Sequence, residues 1–292
     1  MAVSARIHML LLLISLLSRL GLGRYIEVRN PSFPMLACRC LDMLATEGQF
    51  TFMTAQPQLA CAAFLIGEPT EVISLELSDV NIDCSAGDFI KIFDGWVLKG
   101  EKFPSSQDHP LPLRQRYTDY CSSSAAGGAV LSSQNVAMVF FRIHSPDSGF
   151  TLTVKKQHNP MPCNIMSQSP EGSFTMVMPH HHWNCSFSII YPVELQLTEL
   201  SLGQRPMRWG CTGSGDYVEL LGGNGVDTSK MYPMADLCFS PTQMRMGCDN
   251  SVVRLVSSGN YVNRVSFRYR LLGRSEQPQA SENSLDDFCT VG

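Results

Sequence analysis

The chain has 292 residues, 44% of them hydrophobic and 16% charged, with a formal net charge of −4 and eleven cysteines. That length accommodates two domains, and the acidic balance excludes a binder of phosphate backbones. The odd cysteine count leaves at least one thiol outside any intramolecular set of disulfides.

In chain order, Arg6 precedes a mostly apolar stretch from Met9 to Leu17, and Gly21-Leu22-Gly23 has the small-x-small spacing that a signal peptidase reads. Residues 1–23 are therefore expected to be a leader, too short to span roughly 30 Å of hydrocarbon. Removing them takes away Arg6 and Arg19 and no acid, which moves the charge from −4 to −6. No later run approaches the about eighteen apolar residues of a membrane span. The remainder is expected to be secreted into an oxidising space where disulfides persist. Residues 24–37 read as a lead-in.

Beyond it the same pattern is written twice. A Gly-x-Phe-Thr start at Gly48 leads thirteen residues on to Cys61, and another at Gly172 leads thirteen residues on to Cys185. Cys84 is followed by Gly87, Asp88 and an alternating run to Gly95; Cys211 is followed by Gly215, Asp216 and a run to Gly223. The copies also share Asp-x-Cys (Asp119 to Cys121, Asp236 to Cys238), an Asn leading an apolar run (Asn135, Asn250) and a final alternating strand (Phe150 to Val154, Val265 to Tyr269). A period this long exceeds that of stacked solenoid repeats, so each copy is expected to close its own core. Short runs with apolar residues at every second position, bounded by Gly, Pro, Asn, Asp and Ser, predict antiparallel β-sandwiches with little helix. The predicted division is a first domain over 38–156, a linker over 157–162 where QHNPMP breaks the alternation, a second domain over 163–273, and an acidic tail over 274–292.

Equivalent cysteines of a duplication should form equivalent bonds. That favours Cys40 with Cys61 and Cys163 with Cys185, then Cys84 with Cys121 and Cys211 with Cys238. Cys248 and Cys289 are left to staple the tail. Cys38 has no counterpart and reads as a free or capped thiol, an intermolecular bridge, or a competitor of Cys40. No tight CxxC pair invites zinc. Asn184 is the one Asn-x-Ser/Thr site without proline at x and is expected to carry a glycan.

Two resemblances follow from these residues. The sequential disulfides, the aromatic strand after the third cysteine and the SPDSGFTL strand from Ser145 to Leu152 resemble the CUB domain, a secreted β-sandwich. More specifically, RYIEVR at Arg24, CLDMLATEGQFTF at Cys40, DFIKIFDGWVLKGEKFPSSQDHPLP at Asp88, SSQNVAMVFFRIH at Ser132, NCSFSIIYPV at Asn184 and MGCDN at Met246 resemble the corticotropin-releasing hormone-binding protein family. The resemblance implies ten sequentially paired cysteines, two tandem CUB-like domains, and a secreted, non-enzymatic carrier of corticotropin-releasing hormone and urocortin-type peptides. As a monomer or a ligand-linked dimer, such a carrier would limit receptor activation by mass action. It also implies a binding region around the first family cysteine, with an Arg four residues before it and an Asp two after. Here these positions are Leu36 and Asp42, with Arg39 as a nearby cation. Asp42 has an equally simple reading as a turn cap beside a disulfide.

The competing constellations are weaker. In calcium-binding CUB domains, acids at the positions of Glu76, Asp88 and Asp147 supply hard oxygens, which makes a calcium-dependent extracellular interaction module the alternative function. The second copy has Ser257-Ser258-Gly259 where the late Asp should stand, and Asp88 and Asp216 read better as acceptors of backbone hydrogen bonds. His180, His181 and His182 lack a carboxylate or thiolate at fixed spacing and read as a loop. HExxH, GxSxG and GxxxxGK[ST] are all absent from the sequence. Neither cofactor, metal nor nucleic acid is expected.

Overall fold

The computed structural model describes residues 25–29, 36–39, 41–53, 60–122, 128–145, 148–203, 211, 215–238, 243–273 and 276. These residues form strands with short 3-10 turns, such as Leu113–Gln115 and Thr228–Lys230, and no α-helix is present among them. No helix of the described residues is long and apolar enough to cross a membrane.

The first half supplies β1 (Tyr25–Arg29), β2 (Leu36–Arg39), β3 (Leu41–Leu44), β4 (Gly48–Met53), β5 (Cys61–Ile66), β6 (Glu71–Asn81) and β7 (Phe89–Asp94). It continues with β8 (Trp96–Leu98), β9 (Glu101–Phe103), β10 (Tyr117–Asp119), β11 (Val130–Leu131), β12 (Val136–Arg142) and β13 (Gly149–His158). The second half supplies β14 (Ile165–Ser167), β15 (Glu171–Pro179), β16 (Asn184–Ile189), β17 (Val193–Ser201) and β18 (Tyr217–Gly223). β19 (Tyr232–Leu237), β20 (Gln243–Met246), β21 (Asn250–Val256) and β22 (Val262–Leu271) complete it.

The first sandwich packs a six-stranded sheet, β11-β6-β13-β4-β1-β2, on a five-stranded sheet, β10-β7-β12-β5-β3. The second packs β15-β22-β17-β20 on β14-β16-β21-β18-β19. Strand for strand the orders match, including a parallel pair at the same edge in each copy: β3 beside β5 and β14 beside β16. The first half adds two hairpins among the described residues: β1–β2 on β4, and β8–β9 as a separate two-stranded sheet.

Alternation explains where each core lies. On β22, Val265, Phe267 and Tyr269 point inward while Arg264 and Arg268 are exposed. The first core joins Phe50 and Phe52 of β4, Leu65 of β5 and Phe150 of β13. In it Phe52 stacks on Phe150 at 5.0 Å and meets Phe141 edge-on at 5.2 Å. β5 and β12 break the pattern because they are buried on both faces. Their inner residues, Ala63, Leu65, Val139 and Phe141, belong to the first core. Their outer residues, Ala62, Phe64, Ile66 and Met138, join Trp96, Phe103 and Met166 in a separate cluster that also takes in Ile190 and Val226 of the second half.

A buried polar cluster lies beside that apolar contact. Asp108, on the loop after β9, accepts hydrogen bonds from Ser105 Oγ at 3.1 Å, Ser186 Oγ at 3.3 Å and Thr228 Oγ1 at 2.5 Å, and pairs with Arg254. Asn164 Nδ2 donates to the Asp108 carbonyl at 2.7 Å, and Arg254 also reaches Glu219 at 3.2 Å. Burial acts on the Arg254 guanidinium to lower its pKa, yet Asp108 and Glu219 together raise it above the ordinary value. Lys102 to Asp227 at 3.4 Å and Lys230 to Glu101 at 2.6 Å add ion pairs between the halves.

Disulfides join Cys84 to Cys121, Cys163 to Cys185 and Cys211 to Cys238. Cys61 and Cys248 are also disulfide-bonded. Cys40 and Cys289 lie outside the described residues.

Candidate functional site

The two strands that carry the sequence-predicted binding residues are both edge strands. β2 ends the six-stranded sheet, with Leu36 opposite Val28, Cys38 opposite Ile26 and Arg39 opposite Tyr25. One residue later the chain enters β3, which ends the five-stranded sheet of the same sandwich. Asp42 sits mid-strand opposite Ala63, half-buried, and its Oδ1 accepts the Met43 N–H at 2.8 Å. The carboxylate thus occupies a backbone donor of the strand it sits on. A charged residue placed this way blunts an open edge against uncontrolled strand pairing.

The duplication gives this strand an internal reference. Asp42 pairs with the residue two after Cys61, and Ile165 pairs with the residue two after Cys185, so these two positions correspond, as do Met43 and Met166. Ile165 and Met166 are 0% and 1% exposed, and Met166 is packed into the cluster between the sandwiches. Met43 is 48% exposed and Leu41, two residues before it, 59%. The first copy therefore presents, uncovered, the surface that the second copy has covered. Among the described residues the neighbour of Met43 across the halves is Gln168, whose Nε2 lies 2.5 Å from Met43 Sδ. Sequence reasoning passed over Leu41 and Met43. Counting back seven residues from each Gly-x-Phe-Thr start sets Leu41 against Ile165, one residue off the register the strands adopt, so the repeat in the sequence did not mark Met43.

The acids weighed for calcium are placed differently. Glu76 lies on β6, and Asp147 falls outside the described residues. Asp88 is buried, and its oxygens accept the His144 N–H at 3.0 Å and the Asp83 N–H at 3.2 Å while the His144 ring also contacts it. Its counterpart Asp216 accepts the Ser258 N–H at 2.8 Å, the Ser258 hydroxyl at 3.0 Å and the Asn263 amide at 2.7 Å. In both copies this Asp fastens the loop before the last strand. Among the described residues, no three His, Cys, Asp or Glu side chains gather where they could hold a metal ion. In the histidine run, His181 stacks on Trp183 at 5.0 Å, and the His182 ring lies 3.1 Å from the Ser258 carbonyl. Asn184 opens β16 opposite Val256, half-buried.

The family models for the corticotropin-releasing factor binding protein N-terminal and C-terminal domains match residues 34–158 and 165–278. The human corticotropin-releasing factor-binding protein is 57% identical over 265 residues, 88% of this chain and 82% of that one. The protein of that name from Mus musculus is 51% identical over 312 residues, covering 97% and 96%, and that from Rattus norvegicus is 57% identical over 263 residues, covering 87% and 81%. Among solved structures, the CUB1-EGF-CUB2 domains of rat MASP-1 overlay with a TM-score of 0.28 and 13% identity, over 79% of this chain and 99% of that chain. The assignment rests on the sequence relatives: the chain belongs to the corticotropin-releasing factor-binding protein family.

Proposed function

We propose that the chain is a secreted carrier that captures corticotropin-releasing factor and urocortin-type peptides and so limits activation of their receptors. The observation that carries this reading is the contrast between Met43, bare on an edge strand, and Met166, buried at the equivalent position. A short amphipathic peptide that orders on binding needs an apolar strip or a sheet edge to offset its ordering cost, and β3 offers both. Leu36 and Arg39 of β2 precede β3 closely in the chain, so the family's basic position would lie on the edge strand of the other sheet of the same sandwich. Sequestration requires affinity alone, and nothing in this reading calls for a catalytic group.

Met43→Glu is expected to weaken peptide binding about tenfold or more, the scale of losing one anchor residue of an interface. Asp42→Ala is expected to cost about tenfold as well if its second oxygen takes a donor from the peptide. Both side chains are solvent-accessible, so the thermal midpoint should hold within a few degrees. Unchanged affinity in Met43→Glu would move the binding surface away from β3.

Secretion, the cleaved leader over 1–23, the division at 157–162 and a glycan on Asn184 belong to the same proposal. Faster gel mobility of secreted protein after glycosidase treatment is expected, and an unchanged band would remove the glycan from it.

A further inference from the structure

The added β1–β2 hairpin creates an asymmetry between the two sandwiches. β1 covers the outer edge of β4, whereas β15, which holds the same place in the second sandwich, pairs with β22 on one side and with no strand on the other among the described residues. Every second residue of these nine directs its backbone donor and acceptor at that open side. Edges this long are normally guarded by lysine or by interior proline; β15 has no lysine, and its proline, Pro179, comes last.

The sheet face beside this edge carries a row of cations. Arg264 reaches Glu199 at 3.0 Å, and Arg270 is held between Glu194 at 2.6 Å and Glu276 at 2.7 Å. Hydrogen bonds from Arg270 and from the Gly273 N–H bring the Glu276 carboxyl down to about 2, so that arginine stays engaged over the whole physiological range. Arg268 differs. It is exposed between Ser173 of β15 and Gln196 of β17, and it has no carboxylate partner among the described residues. Ser173, Thr175, Thr198 and Ser266 line an open groove of about 470 Å³ around it, together with Phe174, Phe267, Thr70 of the first sandwich and Pro162 of the linker. On a chain of net negative charge, a guanidinium left unpaired in a hydroxyl-lined groove is complementary to a carboxylate.

We propose that β15 and Arg268 receive an extended, acidic segment of the captured peptide, adding a strand to the open edge while Arg268 holds a peptide carboxylate. This rests on the peptide-carrier reading and extends its site, because Gln168, which touches Met43 of β3, lies three residues ahead of Glu171 at the start of β15. Corticotropin-releasing factor would then contact both edges.

The test uses the full chain, corticotropin-releasing factor, and variants of that peptide in which each Asp or Glu in turn becomes its amide. Arg268→Gln is expected to weaken binding about tenfold, one peptide variant should show the same loss, and combining the two should bring no further loss. In the saturated complex, hydrogen exchange is expected to slow at alternate amides of 171–179 and to stay unchanged over 51–53, where β1 already covers the edge. Wild-type affinity in Arg268→Gln, or unaltered exchange along β15 in a complex that does form, would overturn this inference and leave the carrier reading standing. Absence of any complex with the wild-type chain would overturn both.

Discussion

Replacing Asp108 with alanine is expected to cost about 3–5 kcal/mol of folding stability, the penalty for removing one partner of a buried ion pair. The Asp108 side chain is 1% exposed and that of Arg254 8%, so water cannot substitute for the lost carboxylate. Arg254 would keep Glu219 at 3.2 Å, but its Nε already lacks a hydrogen-bond partner, and the hydroxyls of Ser105, Ser186 and Thr228 would lose their shared acceptor. Because these groups come from both sandwiches, a thermal scan should show one transition in the wild type and two in Asp108→Ala. The double variant Asp108→Leu with Arg254→Met should recover part of the loss, since an apolar pair of similar volume avoids the desolvation penalty. A loss below about 1 kcal/mol in the single variant would mean that the cluster is no more than a surface ion pair in its energetics.

Phe103→Ala is expected to be comparably severe, at about 3–5 kcal/mol for truncating a fully buried aromatic. Phe103 is 0% exposed and packs with Trp96, Met138 and Met166 between the sandwiches. Its hairpin strand, β9, pairs with β8 so that Phe103 stands opposite Trp96, and Trp96 Nε1 donates to the Leu65 and Ala137 carbonyls at 3.1 and 3.0 Å. Gly95 makes this approach possible: its φ is +111°, and a Cβ there would sit 2.2 Å from the Phe103 carbonyl oxygen. Leu98→Ala on the same hairpin, 45% exposed, is the control and should stay within about 0.5 kcal/mol. Urea midpoints at constant slope would separate the two. Equal midpoints for Phe103→Ala and Leu98→Ala would deny the contact between the sandwiches any weight in stability.

The part of this molecule legible in its sequence is the part written with local rules. Alternation on Val265, Phe267 and Tyr269 gave strand and face together, and the paired landmarks Gly48 and Gly172, Asp88 and Asp216 gave two sandwiches of equal strand order. The same equivalence placed Cys84 with Cys121, Cys163 with Cys185 and Cys211 with Cys238, which are bonded in the structure. The contact between the sandwiches followed no such rule. Asp108 lies in a loop and Arg254 in a strand 146 residues later, and no periodicity links them. Its trace in the sequence was the unbroken apolar run Cys61–Ile66, buried on both faces where a solvent-facing sheet would alternate. The candidate site was half legible. Asp42 came from the family pattern, but its capping of the Met43 N–H, and the bareness of Met43 against the buried Met166, depend on what packs over each copy. The open edge of β15 was illegible for the same reason, because an edge is defined by a neighbour that another segment does not supply.

On the proposed carrier function, this fold binds its peptide without a metal and without altering it. The most direct measurement is a titration of labelled corticotropin-releasing factor against the purified full chain, in calcium and in excess chelator, with the mass of the peptide read at the end. Saturable binding at the same affinity in both buffers, with the peptide recovered intact, is the expected result. Binding that vanishes with chelator, cleavage of the peptide, or no saturable binding at all would contradict it.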